Sequence, residues 1–155
     1  MEMHVTPTFK KVAEIELVYR TKIKASLRPT ISKSQHAYEV LIGHWDMNKI
    51  ELQEQFKIVL LNTSGKVIGI YESGSGGSEN CVVDLRLIFA CALKANAKKL
   101  ILCHNHPSGN LKASEGDLRL TQHMIQAGKL LDIPVIDHLI ITAEGYLSLA
   151  DEGLL

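Results

Sequence analysis

The sequence carries no excess charge: across 155 residues, 17 Lys and Arg are matched by 17 Asp and Glu. Proteins that hold nucleic acid by its phosphates usually show a basic excess, and helices lying on membranes a basic face. The balance therefore argues against a strongly electrostatic partner, although a local patch is still open. Cys-x-x-Cys pairs are also missing. Three cysteines, at positions 81, 91 and 103, form neither a secreted disulfide framework nor a Cys-rich zinc knuckle. Long apolar runs are absent too. Ile58-Val59-Leu60-Leu61 falls far short of the roughly 20 residues that span a bilayer. The opening residues, Met1-Glu2-Met3-His4-Val5, lack the charged start and apolar centre of a signal peptide, so a cytoplasmic setting is expected. What is present is 46% hydrophobic residues, enough for one core without covalent staples.

Residues 12–19 alternate partly with period two and predict a strand. Lys22 to Ser34 is basic, contains Arg28-Pro29, and predicts an arm or loop. Ser34 is the expected N-cap of a helix reaching about Trp45. A hairpin is expected from Gln55–Asn62, the Ser64-Gly65 turn and Val67–Tyr71. The small-residue stretch 73–78 predicts a loop. Asp84 is placed to cap a helix whose Leu85, Ile88, Phe89, Ala92 and Leu93 share a face. Leu100–Cys103 reads as a strand covered on both sides. A helix from Ser114 to about Leu131 and strands at Val135–Ile141 and near Tyr146–Leu149 follow. The order predicts an α/β domain: a mixed sheet flanked by helices.

Chemistry concentrates between Leu100 and Leu120. His104 and His106 end a strand two residues apart, so their imidazoles share a side while Asn105 faces away. Pro107 stops the strand. With Ser114 as N-cap, Asp117 falls in the first turn of the next helix, aimed back at the loop. Two imidazoles and a carboxylate make a three-ligand zinc set whose fourth position is open, the arrangement of catalytic sites. Each part also has an ordinary reading. Ser114-x-x-Asp117 is a capping box, and a lone surface histidine usually does nothing. Cys103 alternates away from His104 and is expected to be a buried, inert thiol. Glu51, Glu54 and Glu72 are all candidates for a nearby carboxylate, with a solvated role the default for each.

His104-x-His106-x7-Ser114-x2-Asp117 resembles the JAMM (MPN+) metalloprotease motif, whose members include deubiquitinating isopeptidases. More narrowly, the run from His104 through Asp117 resembles the RadC family. The likeness continues through Thr121, through Ile133-Pro-Val-Ile-Asp137-His138-Leu-Ile, and on to Gly145-Tyr-Leu-Ser148. Upstream it takes in Glu54-Gln-Phe56 to Asn62 and Arg86-x-Ile-Phe89-x-x-Ala-Leu93, so it covers about residues 36–153. The resemblance implies a single JAMM/MPN domain of cytidine-deaminase-like architecture over 36–155, preceded by a strand and basic arm over 1–35.

It also implies roles. His104, His106 and Asp117 would hold one zinc ion, Glu54 would be the partner of its water, and Ser114 would help stabilise the oxyanion. Asp137, His138 and Asn105 are read as orienting a ligand or contacting substrate, with a satisfied structural role weighed equally for His138. Zinc lowers the pKa of a coordinated water from 15.7 to about 7, which makes hydroxide available at neutral pH. The implied activity is a zinc metallopeptidase cutting a peptide or isopeptide bond. Full-length RadC proteins carry an N-terminal helix-hairpin-helix region that the first 35 residues are too few to form, so the family's DNA-repair label transfers poorly. The alternatives are a DNA-repair-associated accessory protein that binds nucleic acid, and a non-catalytic scaffold. Lys22, Lys24, Arg28 and Lys33 form a basic arm, solvated by default. Exposed sheet edges in so small a domain suit a homodimer, and no membrane partner is expected.

Overall fold

The computed structural model describes residues 12–76 and 82–155. Five strands form one mixed sheet: β1 (Gln55–Leu61), β2 (Val67–Ser75), β3 (Lys99–Asn105), β4 (Val135–Ile141) and β5 (Tyr146–Ser148), in the order β2-β1-β3-β4-β5. All neighbours are antiparallel except β3 and β4. The parallel pair is joined through the helix α3 (Glu115–Leu130), because parallel neighbours need a long crossover. Helices α1 (Ser34–Ile42) and α2 (Leu85–Lys94) complete the layers.

Successive strand residues face opposite sides, and each side carries its own core. Phe56, Ile58, Leu60, Leu100 and Leu102 pack under α2 and α3, with Ile88, Phe89, Ala92 and Met124. Val59, Leu61, Ile101, Cys103, Leu139 and Ile141 pack under α1, with Ala37, Leu41 and Trp45. Cover on both sides explains why β1 is buried along its whole length. Its one charge, Lys57, sits with Nζ 4.4 Å above the Trp45 ring and 3.2 Å from the His44 carbonyl. Two glycines fix loops by close approach. Gly65, at φ +76°, leaves 2.8 Å between a would-be Cβ and the Ile31 carbonyl, and Gly128 leaves 2.4 Å to the Ile133 carbonyl.

Several sequence expectations are corrected. Residues 12–19 form no strand: they pair with nothing in the sheet, and Ile15 is 94% exposed. Alternation shows that a segment suits a sheet, but a strand also needs a neighbour. The chain reaches the sheet further on, through the isolated Thr30–Lys66 bridge just before β2 and the bond from Val67 N–H to the Pro29 carbonyl at 2.9 Å. Ahead of these contacts lies a 3-10 turn, Ala25–Leu27.

Ser34 is the first residue of α1 and not its cap; Lys33 takes that place in extended backbone. The Ser34 hydroxyl is drawn away to Tyr146 and to the Asp151 carboxylate. The helix also stops at Ile42 and not at Trp45, where the last bonds tighten, His44 N–H to the Leu41 carbonyl and Trp45 N–H to that of Ile42. Of the expected 73–78 loop, residues 73–75 continue β2, with Gly74 opposite Phe56 and Ser75 opposite Gln55. Residues 77 and 78 and Cys81 lie outside the described residues, as does the start of the N-terminal arm.

Candidate metal centre

The centre forms where three elements meet on the α2/α3 side of the sheet. The C-terminal end of β3 brings His104, opposite Phe56 on β1. His106 follows as the chain turns through Pro107-Ser108-Gly109, and its N–H is fixed on the Ile141 carbonyl at 3.0 Å. Gly109 sits at φ +80°, a conformation that suits glycine.

The third element, the N-terminus of α3, carries a full capping box. Ser114 Oγ accepts from Asp117 N–H at 3.1 Å, and Asp117 Oδ2 accepts from Ser114 N–H at 2.7 Å. This bond fixes one carboxylate oxygen and leaves Oδ1 3.1 Å from His104 Nε2. The capping box and the metal-ligand reading are thus two descriptions of one geometry. Because Ser114 Oγ acts as acceptor in the cap, its own O–H is free to donate into the cleft, which Glu54, Phe56, Val83, His104, Gly116, Asp117 and Leu120 also line.

The ligand atoms converge. His104 Nε2 and His106 Nε2 are 3.0 Å apart, and His106 Nε2 is 3.5 Å from Asp117 Oδ2. Atoms bonded tetrahedrally to zinc at 2.0–2.1 Å would stand about 3.3 Å apart, so the spacing fits a first-row divalent cation. Proton placement points the same way. His106 Nδ1 lies 2.6 Å from the Asn110 carbonyl and must donate to it, so Nε2 is the ring atom left to face a metal. Two imidazole nitrogens and a carboxylate that repel one another are relieved by a shared cation or by a proton. The directions of ionisation agree. The hydrogen bond to Asp117 raises the His106 pKa against the effect of burial. Burial pushes the Asp117 carboxyl upward, but hydrogen bonds from His104 and His106 outweigh it and hold it far below the ordinary range. His104, His106 and Asp117 are thus a group able to hold a metal ion.

Glu54 sits in the turn before β1 and lines the cleft with His104, Ser114 and Asp117. Burial raises its pKa; His104 and His106 pull it down and Asp117 raises it further. Of the other two glutamates, Glu72 faces Lys57, 3.6 Å away, and Glu51 lines a neighbouring cleft beside His106.

Asn105 faces away from the metal position and clamps the Glu54 turn. Its amide nitrogen donates to the Ile50 and Gln53 carbonyls at 2.7 and 2.9 Å, and its oxygen accepts Gln55 N–H at 2.7 Å. Asp137 faces the other side of the sheet. There its carboxylate accepts from His138 N–H, Ala150 N–H and Ser148 O–H, tying β4 to the turn after β5.

His138, fully buried, touches the centre directly, with its Nε2 2.8 Å from His104 Nδ1. Its other nitrogen lies 2.6 Å from the hydroxyl of Thr121, a residue the motif alone gave no role. The signal for Thr121 was its position four residues after Asp117, on the same helix face.

A family model described as the RadC-like JAB domain matches residues 31–154. A UPF0758 protein of Flavobacterium johnsoniae is 39% identical over 147 residues, 92% of this chain and 62% of the relative. One from Porphyromonas gingivalis is 46% identical over 104 residues, 66% of this chain and 46% of the relative. One from Clostridium beijerinckii is 34% identical over 144 residues, 93% of this chain and 62% of the relative. The chain thus spans less than two thirds of the length of these relatives. With the matched segment running from the first core residue, Ile31, almost to the C-terminus and including every residue of the centre, the chain belongs to the RadC-like JAB domain family.

Proposed function

We propose that this domain is a zinc-dependent hydrolase of amide bonds, acting on a peptide or isopeptide. The observation that carries the reading is the meeting of two imidazole Nε2 atoms and a carboxylate beside a half-buried glutamate and a serine hydroxyl at the same cleft. Zinc held there by His104, His106 and Asp117 would supply Lewis acidity, which brings the pKa of water to about 7.

The remaining work falls to the chain's own groups. Glu54 accepts the proton of the attacking water and passes it to the departing amine; its raised pKa suits both halves of that task. Ser114 donates its O–H to the charge growing on the carbonyl oxygen, a contribution of about 3–4 kcal/mol for one well-placed donor. Asn105 holds the backbone on both sides of Glu54, so the carboxylate stays at the cleft. A scaffold has no physical need for this set, and a binder of nucleic acid has no need for a free metal position.

The test is metal content by mass spectrometry on untagged protein purified without chelator. About one zinc per chain is expected, lost in His106→Ala while circular dichroism stays native. Glu54→Gln should keep the zinc and abolish cleavage across a panel of peptide and isopeptide amides. Absence of metal from the wild type after zinc is added back, or full activity in Glu54→Gln, would overturn the reading.

A further inference from the structure

The contacts behind His104 form a directed chain. Thr121 Oγ1 lies 2.6 Å from the carbonyl of Asp117, one turn earlier on α3, and 2.6 Å from His138 Nδ1. A hydroxyl has one proton. The carbonyl can only accept, so that proton goes to Asp117, in the back-bonding that Ser and Thr adopt inside helices. Thr121 Oγ1 must then accept from His138, which puts the proton of His138 on Nδ1. His138 is fully buried, and its ring nitrogens meet a hydroxyl and an imidazole, neither of which is a carboxylate that would hold a second proton. Its Nε2 therefore carries a lone pair and accepts, at 2.8 Å, from His104 Nδ1. His104 Nδ1 thus carries a proton, and Nε2 is the ring atom turned toward His106 and Asp117.

We propose that Thr121 and His138 are positioning residues that keep a proton on His104 Nδ1, so that Nε2 is the atom this ring presents to the metal position. This rests on the metal reading above, but the tautomer itself does not. The arrangement couples two of the ligands through one helix. Asp117 supplies a carboxylate from its side chain, and its main-chain carbonyl sets the direction of the chain that ends on His104. Without the Thr121 hydroxyl, His138 can carry its proton on Nε2 instead and donate to His104 Nδ1. The proton of His104 then moves to Nε2, where it blocks the metal position and must be displaced on binding. Partners of this kind typically alter metal affinity by about 10–100-fold.

The experiment uses metal-free protein labelled with nitrogen-15 and long-range nitrogen–proton correlation spectra of the imidazoles. Wild type is expected to show Nδ1–H on both His104 and His138 and unprotonated Nε2 on His138. Thr121→Val should turn a substantial fraction of both rings to Nε2–H, and Thr121→Ser should restore the wild-type pattern. In parallel, zinc affinity by competition with a chromogenic chelator should fall about 10–100-fold in Thr121→Val and recover in Thr121→Ser. An unprotonated Nδ1 on His104 of the wild type, or unchanged tautomers in a folded Thr121→Val, would overturn the proposal. Should Thr121→Val not fold, the wild-type tautomers and the Thr121→Ser affinity still decide. A wild type with the expected tautomers that binds no zinc would refute the hydrolase reading and leave the tautomer assignment standing.

Discussion

At the scale of single residues, the centre depends on groups whose hydrogen bonds leave them little freedom. Asn105 uses both amide protons and its oxygen on the backbone at Ile50, Gln53 and Gln55. Asn105→Ala strips partners from three backbone groups, each worth about 1–3 kcal/mol when buried and unpaired. We expect a loss on the order of 3 kcal/mol in urea unfolding, together with a fall in cleavage because Glu54 is no longer held. Unchanged stability would mean that the turn is fixed elsewhere. Cys103 shows the opposite use of burial. Full burial pushes its thiol well above the ordinary value, opposed in part by Lys57, so the reactive thiolate is scarce. Peptide mapping after maleimide treatment at pH 8 should find Cys103 unmodified in native protein and labelled in urea. Rapid labelling of the native protein would contradict the packing beneath α1.

At the scale of elements, α3 has two duties that substitutions can separate. Its capping box steadies the helix, and the same two residues face the cleft. Glycine is a tolerable N-cap, costing only a few tenths of a kcal/mol, but offers no hydroxyl. Ser114→Gly should therefore unfold almost like wild type while cleavage drops about 10²–10³-fold, the usual effect of removing one oxyanion donor. Equal losses in stability and activity would reduce Ser114 to a cap. The far part of α3 depends on close approach. Gly128→Ala would place Cβ 2.4 Å from the Ile133 carbonyl and force helix and loop apart, at about 1–3 kcal/mol. Gly69→Ala, with nothing within 4 Å, is the matched control and should be neutral or stabilising by about 0.5 kcal/mol. Thermal melts of the pair check the contrast.

At the scale of the whole molecule, the centre joins parts of the sequence that the unfolded chain keeps apart: the turn before β1, the end of β3, the start of α3 and the middle of β4. A cation held there binds only the folded form, so zinc at about 100 times its dissociation constant should add about 2.7 kcal/mol. For a domain of this size that raises the melting temperature by roughly 5–10 °C. Calorimetry with zinc and then with excess chelator measures it, and identical melts would argue against a built metal position. Among the described residues, no helix is long and apolar enough to cross a membrane.

Much of this was legible in the residues themselves. His104-x-His106, Pro107 and Ser114-x-x-Asp117 announce a strand end, a turn and a helix start, because two-residue and capping periodicities are local properties of the backbone. The buried runs of β1, β3 and β4 and the apolar face of α2 were legible for the same reason. Pairing was not. Residues 12–19 have the alternation of a strand and stay outside the sheet, whereas the small residues 73–75 join it beside Phe56, because strand formation is decided by the neighbour. The choice among Glu51, Glu54 and Glu72 was equally beyond spacing alone. The antiparallel register of β1 on β3 brings Glu54 beside His104, while Glu72 is taken up by Lys57. Sequence thus determined the donors and their local geometry. Only the packing of β4 against β3, and of α3 over both, put Thr121 and His138 behind His104, because the direction of a hydrogen bond between distant residues exists only once they are in contact.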